Sequence, residues 1–162
     1  MRYKHTFPPV YNEQSRLLIL GSFPSVASRE QQFYYGHPQN RFWRLLAALC
    51  GETPPQTVEQ KKALCLMHGV ALWDVIESCE IEGSSDSSIR DVAVNDLTPI
   101  LTQCRIREIY ANGSTAWRLF QRYQRERIGR DAVKLPSTSP ANAAWSFDRL
   151  KEAWQVIEDD LL

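Results

Sequence analysis

Apolar residues along this chain fall into two kinds of run, and the two kinds alternate. Short continuous apolar stretches occur at Arg16–Gly21, Val70–Asp74, Ile106–Ala111 and Ala132–Leu135. Runs of this length, bounded by glycine, proline or polar residues, predict buried strands. Between them the apolar residues recur at helical spacing. Phe42, Leu45, Leu46 and Leu49 predict a helix behind Asn40, a residue type that caps helix starts. Thr57–His68 predicts a second helix, stopped by Gly69. Asp96–Cys104 predicts a third, with Asn95 as cap and Pro99 near its first turn. Thr115–Ile128 predicts a fourth, ended by Gly129. Ser146 caps a final helix with an apolar face of Phe147, Leu150, Trp154, Ile157 and Leu161. Ser22–Gln39 is a long polar and aromatic segment, and Gly83–Ser88 reads as a loop by composition.

Strands alternating with helices imply parallel pairing. The expected class is α/β, with a four-stranded parallel sheet inside a three-layer α/β/α arrangement. No internal repeat, linker or low-complexity tract divides the chain, so residues 1–162 are expected to form one domain. In open parallel sheets, ligands bind beyond the carboxyl ends of the strands. That rule marks Ser22–Ser25, Asp74–Ser78, Asn112–Ser114 and Pro136–Asn142 as loops a substrate can touch together.

Composition narrows the function. The 19 basic and 19 acidic residues cancel, which argues against nucleic-acid binding through bulk charge but leaves a local groove open. Arg118, Arg122, Arg125, Arg127 and Arg130 read as the solvated face of a helix. No apolar run approaches the roughly 20 residues that span a bilayer, and no signal peptide is evident. The expectation is a cytoplasmic monomer without membrane association. Cys50, Cys65, Cys79 and Cys104 lack metal-ligand or redox spacing and read as reduced thiols. With three scattered histidines beside them, no metal site or cofactor is signalled.

Three segments carry candidate chemistry. Gly21-Ser-Phe-Pro-Ser25 follows the first strand, where glycine and proline shape a turn that lets backbone groups approach a ligand. It is not a phosphate-cradling lysine loop. Phe33–Trp43 packs aromatic residues around Gly36-His-Pro-Gln-Asn-Arg41. Aromatic rings stack bases that have left a duplex, and an asparagine amide offers both a donor and an acceptor. Pro136-Ser-Thr-Ser-Pro-Ala-Asn142 sets small hydroxyl residues between prolines, as suits a rigid loop that grips phosphates or enters the minor groove.

Together these segments resemble the uracil-DNA glycosylase superfamily. His37-Pro-Gln-Asn-Arg-Phe-Trp43 is similar to the His-Pro-x-Asn-Arg-Phe-Trp of its mismatch-specific branch. Gly21–Ser25, Gly83-Ser-Ser-Asp86, Asn95-Asp96 and Pro136–Asn142 are more similar to the hypoxanthine-DNA (deoxyinosine) glycosylase branch. The resemblance implies metal-free hydrolysis of the N-glycosidic bond of a deaminated base flipped out of DNA. Phe23 stands where the mismatch-specific branch has its catalytic asparagine. The resemblance therefore moves the chemistry to Asn40, with Tyr35 as the stacking ring. Asp74, at the end of the second strand, is the further catalytic candidate by topology. Gly21, Ser22, Phe23, Pro24 and Ser25 are expected to line the base, and Ser137, Thr138, Ser139, Pro140 and Asn142 to contact DNA. Two alternatives stay open: uracil or mismatched bases as the main substrate, and a non-catalytic damage-binding module on the same fold.

Overall fold

Leu17–Gly21 is buried along its whole length, and the fold is built outward from it. The computed structural model describes residues 1–162. In chain order the elements are β1 (Arg2–Lys4), β2 (Leu17–Gly21), α1 (Val26–Gln31), α2 (Phe42–Cys50), α3 (Val58–Met67), β3 (Val70–Asp74) and β4 (Ile76–Glu80). There follow β5 (Arg90–Val94), α4 (Thr98–Gln103), β6 (Glu108–Asn112), α5 (Ser114–Tyr123), α6 (Arg125–Ile128), β7 (Val133–Leu135) and α7 (Phe147–Trp154).

The four expected strands form one parallel sheet in the order β3-β2-β6-β7. Alternate residues of β2 feed opposite layers, as the two-residue period of a strand requires. Leu17 and Ile19 join Leu72, Tyr110, Leu46 and Trp154 on one face. Leu18 and Leu20 join Ile100, Ile109 and Phe120 on the other. Truncating such a residue, as in Leu18→Ala, costs about 2–5 kcal/mol. Thr57 caps α3 with its hydroxyl while Gln60 reaches back to the cap, and Gly69 turns the chain at φ +73°. No helix is long and apolar enough to cross a membrane.

Strand register fixes which residues meet at the end of the sheet. Gly21 pairs with Asp74, and Leu20 pairs with Ala111, so Gly21, Asp74 and Asn112 end on one rim. Asn112 pairs with Leu135, which delivers Pro136 to the same rim.

Four local expectations need correction. The Asp74–Ser78 loop is cut short, because β4 enters a second, antiparallel sheet of order β1-β4-β5. These strands carry Glu77, Ser78, Glu80, Arg90 and Asp91, and a bulge breaks their register, so no apolar alternation announces them. Within Ser22–Gln39 lies a six-residue helix, α1, capped by Ser25. Asn95 is not a helix cap: its amide is buried and donates to the carbonyls of Asp74 and Ile76. Finally, Thr115–Ile128 is two helices. The break falls at Gln124, which is fully buried and donates to the Asn95 carbonyl.

Candidate active site

A cavity of about 380 Å³ opens at the carboxyl rim of the sheet. That is within the range of small-molecule sites. It is lined by Gly21–Ser25 and Tyr35, by Asn40 and Asp74, and by Ser137–Ala141. Further contributors were not singled out as site residues from sequence: Ser28, Tyr34, His37, Asn112 and the Ser84–Ser87 loop. No lysine or arginine lines it.

Tyr35 is held by an unusual backbone. Its φ of +53° is in the left-handed region, which a bulky residue occupies at a cost of about 1–3 kcal/mol. Flanking bonds enforce the turn: the Gly36 N–H donates to Ser28 Oγ at 2.9 Å and Gln31 Nε2 donates to the Gly36 carbonyl at 3.0 Å. One face of the Tyr35 ring stacks on Phe42, with centroids 4.1 Å apart. Its hydroxyl is buried without a hydrogen-bond partner. Burial first, and then the charge of Asp74, push this hydroxyl far above the usual tyrosine range; the Asn112 amide, near but not bonded, opposes the shift.

Asn40 lies just before α2, and its amide is oriented by its partners. Oδ1 accepts from the Phe42 N–H at 3.0 Å and from the Thr138 hydroxyl at 2.8 Å. A backbone N–H can only donate, so the oxygen assignment is forced. With both lone pairs used, Nδ2 is the group left for the cavity. In this arrangement Asn40 presents a donor, not an acceptor, to the cavity.

Thr138 is fully buried, which removes it from the surface expected to meet DNA. Its hydroxyl accepts from Asn112 Nδ2 at 3.0 Å, and its N–H donates to Asn112 Oδ1 at 3.1 Å. Asn112, Thr138 and Asn40 thus join three separate chain segments. Arg41 supplies a second tie. Its guanidinium donates to the carbonyls of Trp145, Ser139 and Asn142, pinning the Pro136–Asn142 loop to the start of α2. Asn142 also turns inward, donating to the Ser137 carbonyl at 3.0 Å. Ser137 and Ser139 use their oxygens to accept N–H groups of Ser139 and Ala141. Each hydroxyl proton remains free to donate outward, and Pro140 lies on the same rim.

Two carboxylates face the cavity. Asp74 is buried, and its Oδ2 accepts from His5 Nε2 at 2.8 Å. Asp86 Oδ1 accepts from the Ser22 hydroxyl at 3.1 Å. Although its edge reaches solvent, neighbouring atoms strip enough water from the Asp86 carboxyl to push it above the usual range, and Asp74 adds to the shift. Phe23 borders the cavity while its ring packs with Ile76, Cys79 and Ile81. The four cysteines are free thiols. Arg118, Arg122, Arg125 and Arg127 of α5 and α6 are exposed as expected, while Arg130, beyond α6, donates to the Ile106 and Arg107 carbonyls.

Sequence carried little sign of His5, which lies 69 positions from its partner. Arg41 and Asp86 stand inside the candidate motifs, but nothing local to them pointed to a role.

Known proteins match this architecture from end to end. The family model of the uracil DNA glycosylase superfamily matches residues 8–159. A Methanosarcina acetivorans protein named hypoxanthine DNA glycosylase is 38% identical over 95% of this chain and 97% of its own length. A protein of the same name from Methanosarcina barkeri is 40% identical over 59% of this chain and 61% of its own. A solution NMR structure from M. acetivorans, provisionally named a uracil DNA glycosylase, superposes with a TM-score of 0.82 at 36% identity, covering 98% of this chain and 97% of that one. Sheet order, rim cavity and the match over nearly the whole length agree: the chain belongs to the uracil DNA glycosylase superfamily.

Proposed function

We propose that this protein is a DNA glycosylase that hydrolyses the N-glycosidic bond of deaminated bases in DNA, hypoxanthine first among them. The observation that carries the reading is the pairing of Tyr35 with Asn40 across one cavity. A strained, Phe42-backed ring is a platform for a base, and the locked Asn40 amide offers a fixed donor beside it. The absence of lysine and arginine from the lining suits a neutral base and disfavours a phosphate. The hypoxanthine-directed names of two relatives support the choice of base.

In this mechanism the target nucleotide leaves the duplex at a cost of a few kcal/mol, least for a mispaired base. Its base stacks on Tyr35. Backbone groups of Ser22 and Phe23 bond its edge, while Gly21, Pro24 and Ser25 shape the wall. As the C1′–N bond breaks, positive charge grows on the sugar and negative charge on the base. Asn40 Nδ2 donates toward the departing base and stabilises that charge. Asp74 supplies a fixed negative charge at the cavity floor, and water completes the hydrolysis at C1′. Ser137, Ser139, Pro140 and Asn142 form the DNA clamp, with Thr138 as its internal anchor.

The test is single-turnover base release from oligonucleotides carrying deoxyinosine, deoxyuridine or deoxyxanthosine. Hypoxanthine release faster than uracil release supports the reading. No released base from any of the three, with DNA binding intact, leaves a damage-binding module instead.

A further inference from the structure

The cavity floor holds a group that the Asn40 chemistry leaves unused. Asp74 has two carboxylate oxygens in different circumstances. Oδ2 is engaged by His5 Nε2, and the side chains of the pair are 2% and 5% exposed. Oδ1 accepts no hydrogen bond from the protein. It lies against Gly21 so closely that a Cβ on residue 21 would come within 2.4 Å of it. The backbone at Asp74 is also held in place, since Asn95 donates to the Asp74 main-chain carbonyl and Gln124 donates to the Asn95 main-chain carbonyl.

A carboxylate oxygen that faces a cavity and has no donor from the protein is a ready acceptor for a ligand N–H. No lysine or arginine lines the cavity to pair with it. A flipped base supplies such an N–H, if its ring carries one. Hypoxanthine has an N–H beside its carbonyl; adenine has a lone pair at the same ring position and would face the carboxylate with like polarity. We propose that Asp74 Oδ1 accepts the ring N–H of the flipped base and so selects oxo-purines over adenine. His5 is the positioning residue that fixes the carboxylate for this contact. This assignment rests on the base-binding reading above.

The contact has a chemical consequence. A carboxylate beside the departing base opposes the negative charge that accumulates there. Asp74 therefore favours recognition at some expense of rate, and donors such as Asn40 Nδ2 offset it. This separates the assignment from a purely electrostatic role toward the sugar, which would be blind to the base.

The experiment compares wild type, Asp74→Asn, His5→Ala and His5→Gln, each checked by thermal melting. Affinity is measured for single strands carrying non-hydrolysable 2′-fluoroarabino nucleotides of hypoxanthine or adenine, and release is measured on the cleavable pair. Asp74→Asn should reduce the preference for hypoxanthine over adenine about 10- to 100-fold, the worth of one hydrogen bond to a charged group. Part of that change should be tighter adenine binding, because the new amide can donate to the adenine lone pair. His5→Ala should shift the preference the same way by a smaller factor. His5→Gln, whose amide N–H can take the place of Nε2, should restore it. A preference unchanged in Asp74→Asn, or equal losses on both bases, overturns the assignment. If wild type prefers hypoxanthine in binding but releases no base, the glycosylase reading fails while the recognition reading stands.

Discussion

Substituting Asn40 by aspartate and by alanine separates the two ends of its amide. Alanine removes the acceptor of the fully buried Thr138 hydroxyl and of the Phe42 N–H. An orphaned buried donor costs about 1–3 kcal/mol, and one of the two regains some water, so Asn40→Ala should lose about 2–4 kcal/mol. In a chain of this size that lowers the melting temperature by on the order of 5–10 °C. Aspartate keeps an oxygen at the same place and both bonds with it. Its melting temperature should stay within about 3 °C of wild type. Activity should behave differently. Both variants lose the Nδ2 donor, and removing one donor aimed at developing charge slows the chemical step about 100- to 1,000-fold. If Asn40 instead acted through an acceptor that steers water, aspartate would be the better group and the rate would hold or rise. Single-turnover release of hypoxanthine from a deoxyinosine duplex reads the rate, and calorimetry reads the stability. Asn40→Asp at near-wild-type rate would refute donation by Nδ2. Asn40→Ala melting with wild type would refute the anchoring of Oδ1.

Three further outcomes are expected from other parts of the site. Arg41→Ala frees three loop carbonyls at once, so KM for DNA should rise more than kcat falls, and Arg41→Lys should not rescue it because a single ammonium cannot span the same fork of acceptors; an unaltered KM would count against the clamp. Tyr35→Phe deletes a buried hydroxyl that has no partner, so stability should be unchanged or rise by up to about 1 kcal/mol with base release retained; a loss above about 2 kcal/mol would mean the hydroxyl is bonded. The folded protein holds the Asp86 proton more tightly than the unfolded chain does, so ionisation of this group opposes folding, and the opposition develops as pH rises through its raised range. Asp86→Asn should therefore melt above wild type at pH 7, with the gap closing below about pH 4; a gap constant with pH would reject that cause.

The parallel sheet was legible because its strands are buried on both faces and so write continuous apolar runs, with Leu17–Leu20 as the plainest case. Loops at the carboxyl rim were legible for the same reason, since their position follows from the strands. The second sheet was not, because its strands are short and half-exposed and pair through polar residues such as Glu80 and Arg90. Asn95 and Gln124 misled for a related reason. Each has a local reading, as cap and as helix interior, that a long-range hydrogen bond overrides. Asn40 and Tyr35 came to notice through their motif, but which atom of Asn40 faces the cavity depends on Thr138, 98 positions away. His5 has no local context at all; only the pairing of β1 with β4 brings it to Asp74.

The strand register that sets Gly21, Asp74 and Asn112 side by side also bears on safety. An enzyme that severs bases from DNA is hazardous if a damaged copy keeps cutting. Here the cavity is assembled from segments between residues 21 and 141, and the sheet holds them together. A copy that ends before β7 lacks the strand that carries Ser137–Ala141 to the rim, and with it one wall of the cavity. The chain must therefore be made almost to its end before the whole wall that would hold a base exists.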